Sequence, residues 1–532
     1  MPDYKAPGVY VEEVERGPKT IEGVSTSVAG FVGVSERGPT EPQLVTSVAD
    51  YNRKYGGYGT SASWSQYAGN AFLPHAVEGF FTNGGSRAWV TRVVPTPWIE
   101  NELFAEATLD DGAQNNPTDV MTVTATGVGF WGQNVVVDVG PASSGDPDRF
   151  MLRVGYWREE VSLSGNDYDD LIDPANMGPP DHDETYDELS ADETDSNYYL
   201  NVVDGVSNLV SLTAEQSGTR PAEGTTKLSL SGMGNKRKTM QSGDYEGVLN
   251  KTDGYRSGLE AFTDVDEITM VCVPDEHHKN GNDDAVSSAV KDHCENLEDR
   301  IAILQAERNA DLTSGPPNAV VSEYVAFYTP WCTVRNPETN LDLPVPPGGH
   351  VAGIYARSDS EHGVHKAPAN EQVRGILGLN RTINRGEQAS LNPKGVNCIR
   401  SFRGRGIRVW GARTTSSDPS WKYVNVRRLF LYVEESIDEG TQWVVFENNT
   451  EELWARVRQT ISNFLTTLWE DGALMGSTPE EAFYVKCDRT TMTQNDIDNG
   501  RLICEIGIAP VKPAEFVVFR ISQWTAGVEG GG

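Results

Sequence analysis

Four groups of side chains have types that chemistry could use. His362 and His365 lie near His350, a set that would suit zinc, but no carboxylate or cysteine stands with them at ligand spacing. They read as surface or packing histidines. Residues 232–238 (GMGNKRK) carry glycines and bases without the Gly-x-x-x-x-Gly-Lys-Ser/Thr spacing of a phosphate loop, and no helical pattern follows, so they read as an exposed basic turn. Residues 159–195 hold fourteen acids and no Lys or Arg, yet lack the Asp-x-Asp-x-Asp-Gly spacing of a calcium loop; a solvated face is expected. The six cysteines (Cys272, Cys294, Cys332, Cys398, Cys487, Cys504) include no Cys-x-x-Cys pair, which argues against a disulfide scaffold or a zinc ribbon. They read as small buried residues of a chain made in a reducing cytoplasm. No metal and no cofactor is expected.

The elements that would position these residues are those of an α/β chain with a β-rich middle. Residues 267–274 (EITMVCVP) form an apolar run of strand type, as do 324–329 (YVAFYT). Between them, Val286, Val290, Leu297, Ile301 and Leu304 recur at helical spacing and predict one helix over 284–307. Strand, helix, strand implies a parallel β-α-β unit. From 451 to 469, Leu453, Trp454, Val457, Ile461, Phe464, Leu465 and Leu468 make one apolar stripe closed by Gly472, a long amphipathic helix. Residues 96–255 differ, with short β-type runs such as 121–124 and 135–139 separated by Gly, Pro, Asn and Asp, and read as one or two inserted β-rich modules. Both chain ends carry strand-like runs, 8–14 (GVYVEEV) and 515–522 (EFVVFRIS). Such segments either pair within their own subunit or add to the sheet edge of another molecule.

Length and charge bound the answer further. The 532 residues suggest three to four domains. The 44 Lys plus Arg against 77 Asp plus Glu give a net charge of −33, which excludes nonspecific nucleic-acid binding and disfavours anionic membrane. No run approaches 18 uncharged apolar residues, and residues 1–20 hold no block of signal-peptide length, so neither membrane insertion nor export is expected. Only 14 of the bases are Lys, and this Lys-poor, acid-rich balance predicts a halophilic, haloarchaeal source, because in strong salt the self-repulsion is screened over about 3 Å. The acids concentrate in 96–255 (29 against nine bases), while 380–430 holds eleven bases against Glu387 and Asp418, a stretch suited to an acidic partner or a second copy of the chain.

Several long motifs carry a resemblance: KAPGVYVEEV at 5–14, TSVAGFVGVSERGP at 26–39, FFTNGGSRAWVTRV at 80–93, GFWGQN at 129–134, HKAPAN at 365–370, the basic block 395–429 and GIAPVKPAEFVVFRISQ at 507–523. In that order they resemble the tail sheath proteins of contractile phage tails and related contractile injection systems. The resemblance covers roughly 1–95 and 256–523. It implies a subtilisin-like α/β core without catalytic residues, an inserted outer β-rich domain and extended terminal arms. The expected divisions are an N-terminal arm (1–22), a first core part (23–95), the acidic insert (96–255), the remaining core (256–390), a C-terminal domain (391–510) and a C-terminal arm (511–532). Residues 346–356 (PPGGHVAGIYA) do resemble the segment around the catalytic histidine of subtilisins, but that histidine falls on Pro347, His350 matches a noncatalytic one, and no nucleophile segment exists. No enzyme is expected.

The resemblance further implies a subunit that stacks as hexameric rings around an inner tube, meets baseplate and terminator or cap proteins, and contracts to drive the tube through an envelope. Val9, Tyr10, Val11 and Glu12, with Phe516, Val517, Val518 and Phe519, are then the strand arms exchanged between subunits. Glu451, Glu452, Arg456 and Arg458, off the apolar stripe of the long helix, are candidates for tube contact, the other reading being a core-covering helix with a solvated polar side. Arg400, Arg403, Arg405, Arg408, Arg427 and Arg428 are candidates for a basic interface. The competing function is a structural shell or lattice that does not contract.

Overall fold

Runs of buried apolar residues, with no polar alternation, make strands that must be covered on both faces. Three such runs are β1 (Ala29–Gly33), β5 (Ile301–Gln305) and β6 (Val325–Thr329), every residue of which is buried. The computed structural model describes residues 20–58, 71–163, 167–232, 240–248, 256–277 and 284–520. In it these runs sit in a nine-stranded sheet with β2 (Gln43–Val45), β3 (Ala88–Arg92), β4 (Met270–Cys272), β7 (Glu371–Gln372), β8 (Val396–Phe402) and β9 (Gly406–Val409). The order is β7-β9-β8-β6-β5-β4-β1-β3-β2. The six strands from β8 to β3 are parallel, and β2, β9 and β7 add antiparallel edges.

The helix predicted over 284–307 is shorter. Helix α3 (Ala285–Leu297) ends at Glu298, whose φ of +58 stops it, and Ile301 and Leu304 belong to β5 instead. The parallel unit therefore closes from β4 onto β5, with β6 one strand further out. Three more helices belong with this sheet: α1 (Val48–Tyr55), capped by Ser47 accepting from the Asp50 amide at 3.1 Å, α2 (Leu73–Asn83) and α4 (Gly348–His362). Helices α2 and α4 touch through glycines: a Cβ on Gly349 would lie 2.2 Å from the Ala76 carbonyl oxygen, and one on Gly353 would lie 2.3 Å from that of Phe80. Any side chain there would force the helices apart.

The chain leaves this core after β3 and builds two four-stranded antiparallel sheets. One has the order Gly224–Lys227, Val135–Pro141, Arg149–Tyr156, His182–Ser190; the other Ser229–Leu230, Ala105–Asp110, Asp119–Ala125, Val210–Ala214. Both face one apolar core that includes Met121, Val137, Phe150, Leu152 and Leu212, so the insert is one module. It ends earlier than its charge pattern suggests, because Met240 and Tyr245 pack in the main core. Thr96 donates through its amide and hydroxyl to Asp244 at 2.9 and 2.8 Å, tying the outgoing and returning crossings together. Buried Glu36 fastens the module from the core side, accepting from the Tyr156 hydroxyl and Arg158 Nε, both at 2.9 Å. Acids at 159, 160, 167, 169 and 170 are exposed.

A second compact unit is built on the stretch from Ile437, the divide falling within α5 (Val424–Thr441). It contains α6 (Glu451–Glu470) and an antiparallel pair, β10 (Phe483–Lys486) and β11 (Glu505–Ile508). The stripe read from sequence is what α6 buries: Leu453, Trp454, Val457, Ile461, Phe464, Leu465 and Leu468. Thr450 caps its start, accepting from the Leu453 amide at 3.4 Å. Among the described residues no helix is long and apolar enough to cross a membrane.

Candidate functional site

Among the described residues, the C-terminal segment carries the longest run of exposed large apolar side chains. After β11 the main chain returns past 473–475, with the Met475 amide donating to Ala509 at 2.8 Å and the Val511 amide to Ala473 at 3.2 Å. Residues 512–520 then belong to no helix or strand. Phe516, Val517, Val518 and Phe519 are 74, 68, 76 and 83 % exposed. Four successive apolar side chains in water are costly, at roughly 1.5–3 kcal/mol of unrealised burial each. The matching N-terminal residues, Val9, Tyr10, Val11 and Glu12, lie outside the described residues.

Helix α6 divides its four candidates. Glu451, Glu452 and Arg456 are exposed, whereas Arg458 is half-buried and donates to the Cys487 carbonyl, holding the end of β10. Arg456 lies over the Trp443 ring at 5.1 Å and 3.9 Å from Glu447, beside Val445 and a fully exposed Phe446. The exposed Val445 and Phe446 were not anticipated. Isolated apolar residues between a helix end and a cap carry no periodic signal, and only their exposure marks them.

The basic stretch divides as well. Arg403 and Arg405 stand at the tip of the β8–β9 hairpin, where Gly404 and Gly406 take φ of +75 and +74. Arg405 donates to the Asn370 side chain at 2.7 Å, Arg408 to the Asn370 main-chain carbonyl at 2.6 Å, and Arg400 to the Ile383 carbonyl at 3.0 Å. Arg427 and Arg428 are not surface residues. Arg427 is buried, stacked 4.4 Å over Trp421 and paired with Glu434 at 2.7 Å and Glu323 at 3.3 Å. Arg428 is buried against Asp359 at 2.6 and 2.9 Å, and Thr26 completes the site by accepting from Arg428 at 2.8 Å and donating its hydroxyl to Asp359 at 2.8 Å. The pair ties α4 to α5 and to the lead-in of β1. The expectation of a six-arginine interface is corrected here: at the start of a half-buried helix, two of the six serve the interior.

Open parallel sheets bind ligands at the carboxyl ends of strands where the order reverses. Here that point lies between β1 and β4, and a carboxylate fills it. Asp275 accepts from the Phe72 amide at 2.6 Å and the Val34 amide at 2.9 Å, and a Cβ on Gly33 would lie 2.7 Å from its oxygen. Burial raises its pKa to about 7, against those two hydrogen bonds. Beside it, buried Glu276 accepts from the Gln305 amide at 2.7 Å and the Ser287 hydroxyl at 2.6 Å. His350, on α4, is buried with its pKa lowered to about 4 by burial and then by His75. Pro347 precedes that helix.

Two families match the chain in succession: the phage tail sheath protein central domain at 250–415 and the phage tail sheath C-terminal domain at 416–523. Together they run unbroken over more than half of the chain. The chain belongs to the phage tail sheath family. Among sheath proteins, the prophage major tail sheath protein of Pseudomonas aeruginosa is 28% identical over 250 residues, 45% of this chain and 62% of that one. The tail sheath protein of Escherichia phage P2 is 28% identical over 180 residues, 32% and 42% of the two chains, and that of Enterobacteria phage T4 is 23% identical over 189, 35% and 28%. This sheath chain thus matches less than two thirds of each relative's length. Its fold matches the anti-feeding prophage helical sheath in the contracted state (TM-score 0.57, 23% identity, 98% of this chain and 99% of that one) and the sheath complex of the extracellular contractile injection system PVC in the contracted state (0.57, 20%, 98% and 99%). A sheath tail protein from Listeria innocua has the same fold at 12% identity (0.55, 92% and 96%). These matches share the mixed α/β, multi-sheet architecture.

Proposed function

We propose that the chain is the subunit of a contractile sheath, polymerising as stacked hexameric rings around an inner tube and meeting baseplate and cap proteins at its ends, with no chemistry of its own. The observation that carries this reading is the exposed run at 516–519, an apolar segment of strand-forming residues that pairs with no strand among the described residues. Addition to a neighbour's sheet edge would satisfy its main chain and bury its side chains together. The N-terminal run at 9–12 is assigned the same role. Contraction requires two packings of different free energy, and burying roughly 400 Å² more apolar surface per subunit would supply about 10 kcal/mol without a nucleotide. The acidic insert is assigned to the outside, where its charge meets solvent. The exposed end of α6, with Glu451, Glu452, Arg456 and Phe446, is assigned to the tube, and Arg403, Arg405 and Arg408 to an acidic neighbour. The core is read as a subtilisin-type sheet whose catalytic position holds Pro347, and the acidic, Lys-poor surface as an adaptation to strong salt.

Removing 512–532 is the test. The shortened chain should stay folded and soluble but form no tubes in the electron microscope, while the full chain should form sheaths of two lengths. Tubes of normal length from the shortened chain would overturn the strand-exchange reading, and a single length for the full chain would favour a non-contracting shell.

A further inference from the structure

The register of β10 and β11 places two cysteines face to face. Phe483 is opposite Ile508 and Lys486 opposite Glu505, so one step further Cys487 is opposite Cys504. Cross-strand pairs alternate between hydrogen-bonded and open. Ala509 donates its amide to Ala482 at 2.8 Å, which makes 482 with 509 a bonded position. Counting by twos, 484 with 507 and 486 with 505 are bonded, and 487 with 504 is open. An open pair turns its main-chain groups away from the partner strand, and the Cys487 carbonyl is indeed taken from outside by Arg458. Open pairs bring Cα atoms to about 4.5 Å, within the roughly 4.4–6.8 Å that a disulfide spans. The two thiols are close enough that each shifts the other's titration, and both are free.

We propose that Cys487 and Cys504 are a redox pair that closes to a disulfide when the sheath chain meets a disulfide oxidant, cross-linking the base of the loop 488–503. In the exchange a thiolate of the pair attacks one sulfur of oxidised glutathione and releases one glutathione thiol. The facing thiolate then attacks the protein sulfur of the mixed disulfide and expels the second. One protein S–S bond forms, two protons leave the protein thiols, and their two electrons reduce the reagent to two thiols. Solvent reaches the pair from the Cys504 side, where that residue is half-buried and the other five cysteines are buried, while Cys487 and burial push the Cys504 thiol itself up, so the attacking thiolate is that of Cys487. The Cys504 thiol, and after it the Arg458 guanidinium, pull the Cys487 thiol below its ordinary value against the effect of burial. Elsewhere burial pushes the thiols of Cys294, Cys332 and Cys398 up to about 12 and raises that of Cys272 well above its ordinary value, which leaves them inert. The cross-link would fasten the strand pair from which the exposed segment 512–520 departs.

The full chain, incubated with oxidised glutathione at mildly alkaline pH, tests this. Thiol titration should fall from six to four, intact mass should drop by about 2 Da for the two lost hydrogens, and tryptic cleavage at Arg489 and Arg501 without reductant should leave the peptides bearing Cys487 and Cys504 joined. Dithiothreitol should reverse all three. C487S and C504S should each abolish the joined peptide, and C398S should not. Six thiols retained, glutathione adducts without a joined peptide, or a joined peptide containing another cysteine would each overturn the proposal, and none of these depends on whether the chain assembles into a sheath.

Discussion

Asp275 shows what one buried carboxylate does to a fold of this kind. It occupies the reversal point of the sheet and holds the ends of β1 and α2 through two main-chain amides. Its pKa of about 7 lies above the 3.8 of an unfolded aspartate because burial opposes its charge. An acid raised in the folded state binds its proton more tightly there, so its contribution is fully present below about pH 4 and is lost as the pH climbs to about 7. Across that window the loss is on the order of 4 kcal/mol. Thermal melts should therefore show stability declining between about pH 4 and pH 7. D275N should melt lower throughout, because its amide nitrogen would face one of the two N–H donors, and should lose much of the decline. An unchanged slope in the variant would assign the pH dependence to other groups. Arg428 illustrates the opposite sign of burial: a charge kept in the interior by a bidentate carboxylate, stabilising only while both partners remain.

At the scale of elements, α6 and its neighbours separate two roles that adjacent arginines suggest they share. Arg458 is engaged by the end of β10, and Arg456 faces solvent beside Phe446. R456E should weaken copurification of tube with sheath, most clearly at low salt, with the melting temperature moving little because an exposed pair contributes under about 1 kcal/mol. Unaltered copurification across a salt series would move the tube contact away from α6. The α2–α4 crossing is set by glycines at 349 and 353, which let the helices approach to main-chain contact.

For the molecule as a whole, a net charge of −33 places repulsion on a folded surface that water at low ionic strength screens poorly. Raising potassium chloride from about 0.1 M to above 1 M, where the screening length falls from about 10 to about 3 Å, should raise the melting temperature. A flat or falling melting temperature over that range would remove the basis for the strong-salt reading. The charge is unevenly shared, since 96–255 holds 29 acids and the β8–β9 hairpin presents its arginines on the other sheet system.

Local order was fully specified by the sequence wherever it depended on neighbours along the chain. The stripe of α6 follows from spacing at 3.6 residues, the insert's β character from short apolar runs between turn residues, and β4 and β6 from short apolar runs of strand type. The motifs at 395–429 and 507–523 were enough to place the chain among sheath proteins, because long ordered strings survive where single residues do not. Distant pairing lay beyond it. Val286 to Leu304 fits helical spacing throughout, and only the left-handed turn at Glu298 and the place of 301–305 between β4 and β6 make its second half a strand. Arg427 and Arg428 read like Arg403 and Arg405 until Glu323, Glu434 and Asp359 arrive from 69 to 104 residues earlier or from the next turns of α5. Cys487 and Cys504 became a pair through register alone. Periodicity is a property of one segment, whereas burial, ion pairing and register belong to two segments at once, and the energy that selects the second segment is released only when the tertiary structure forms.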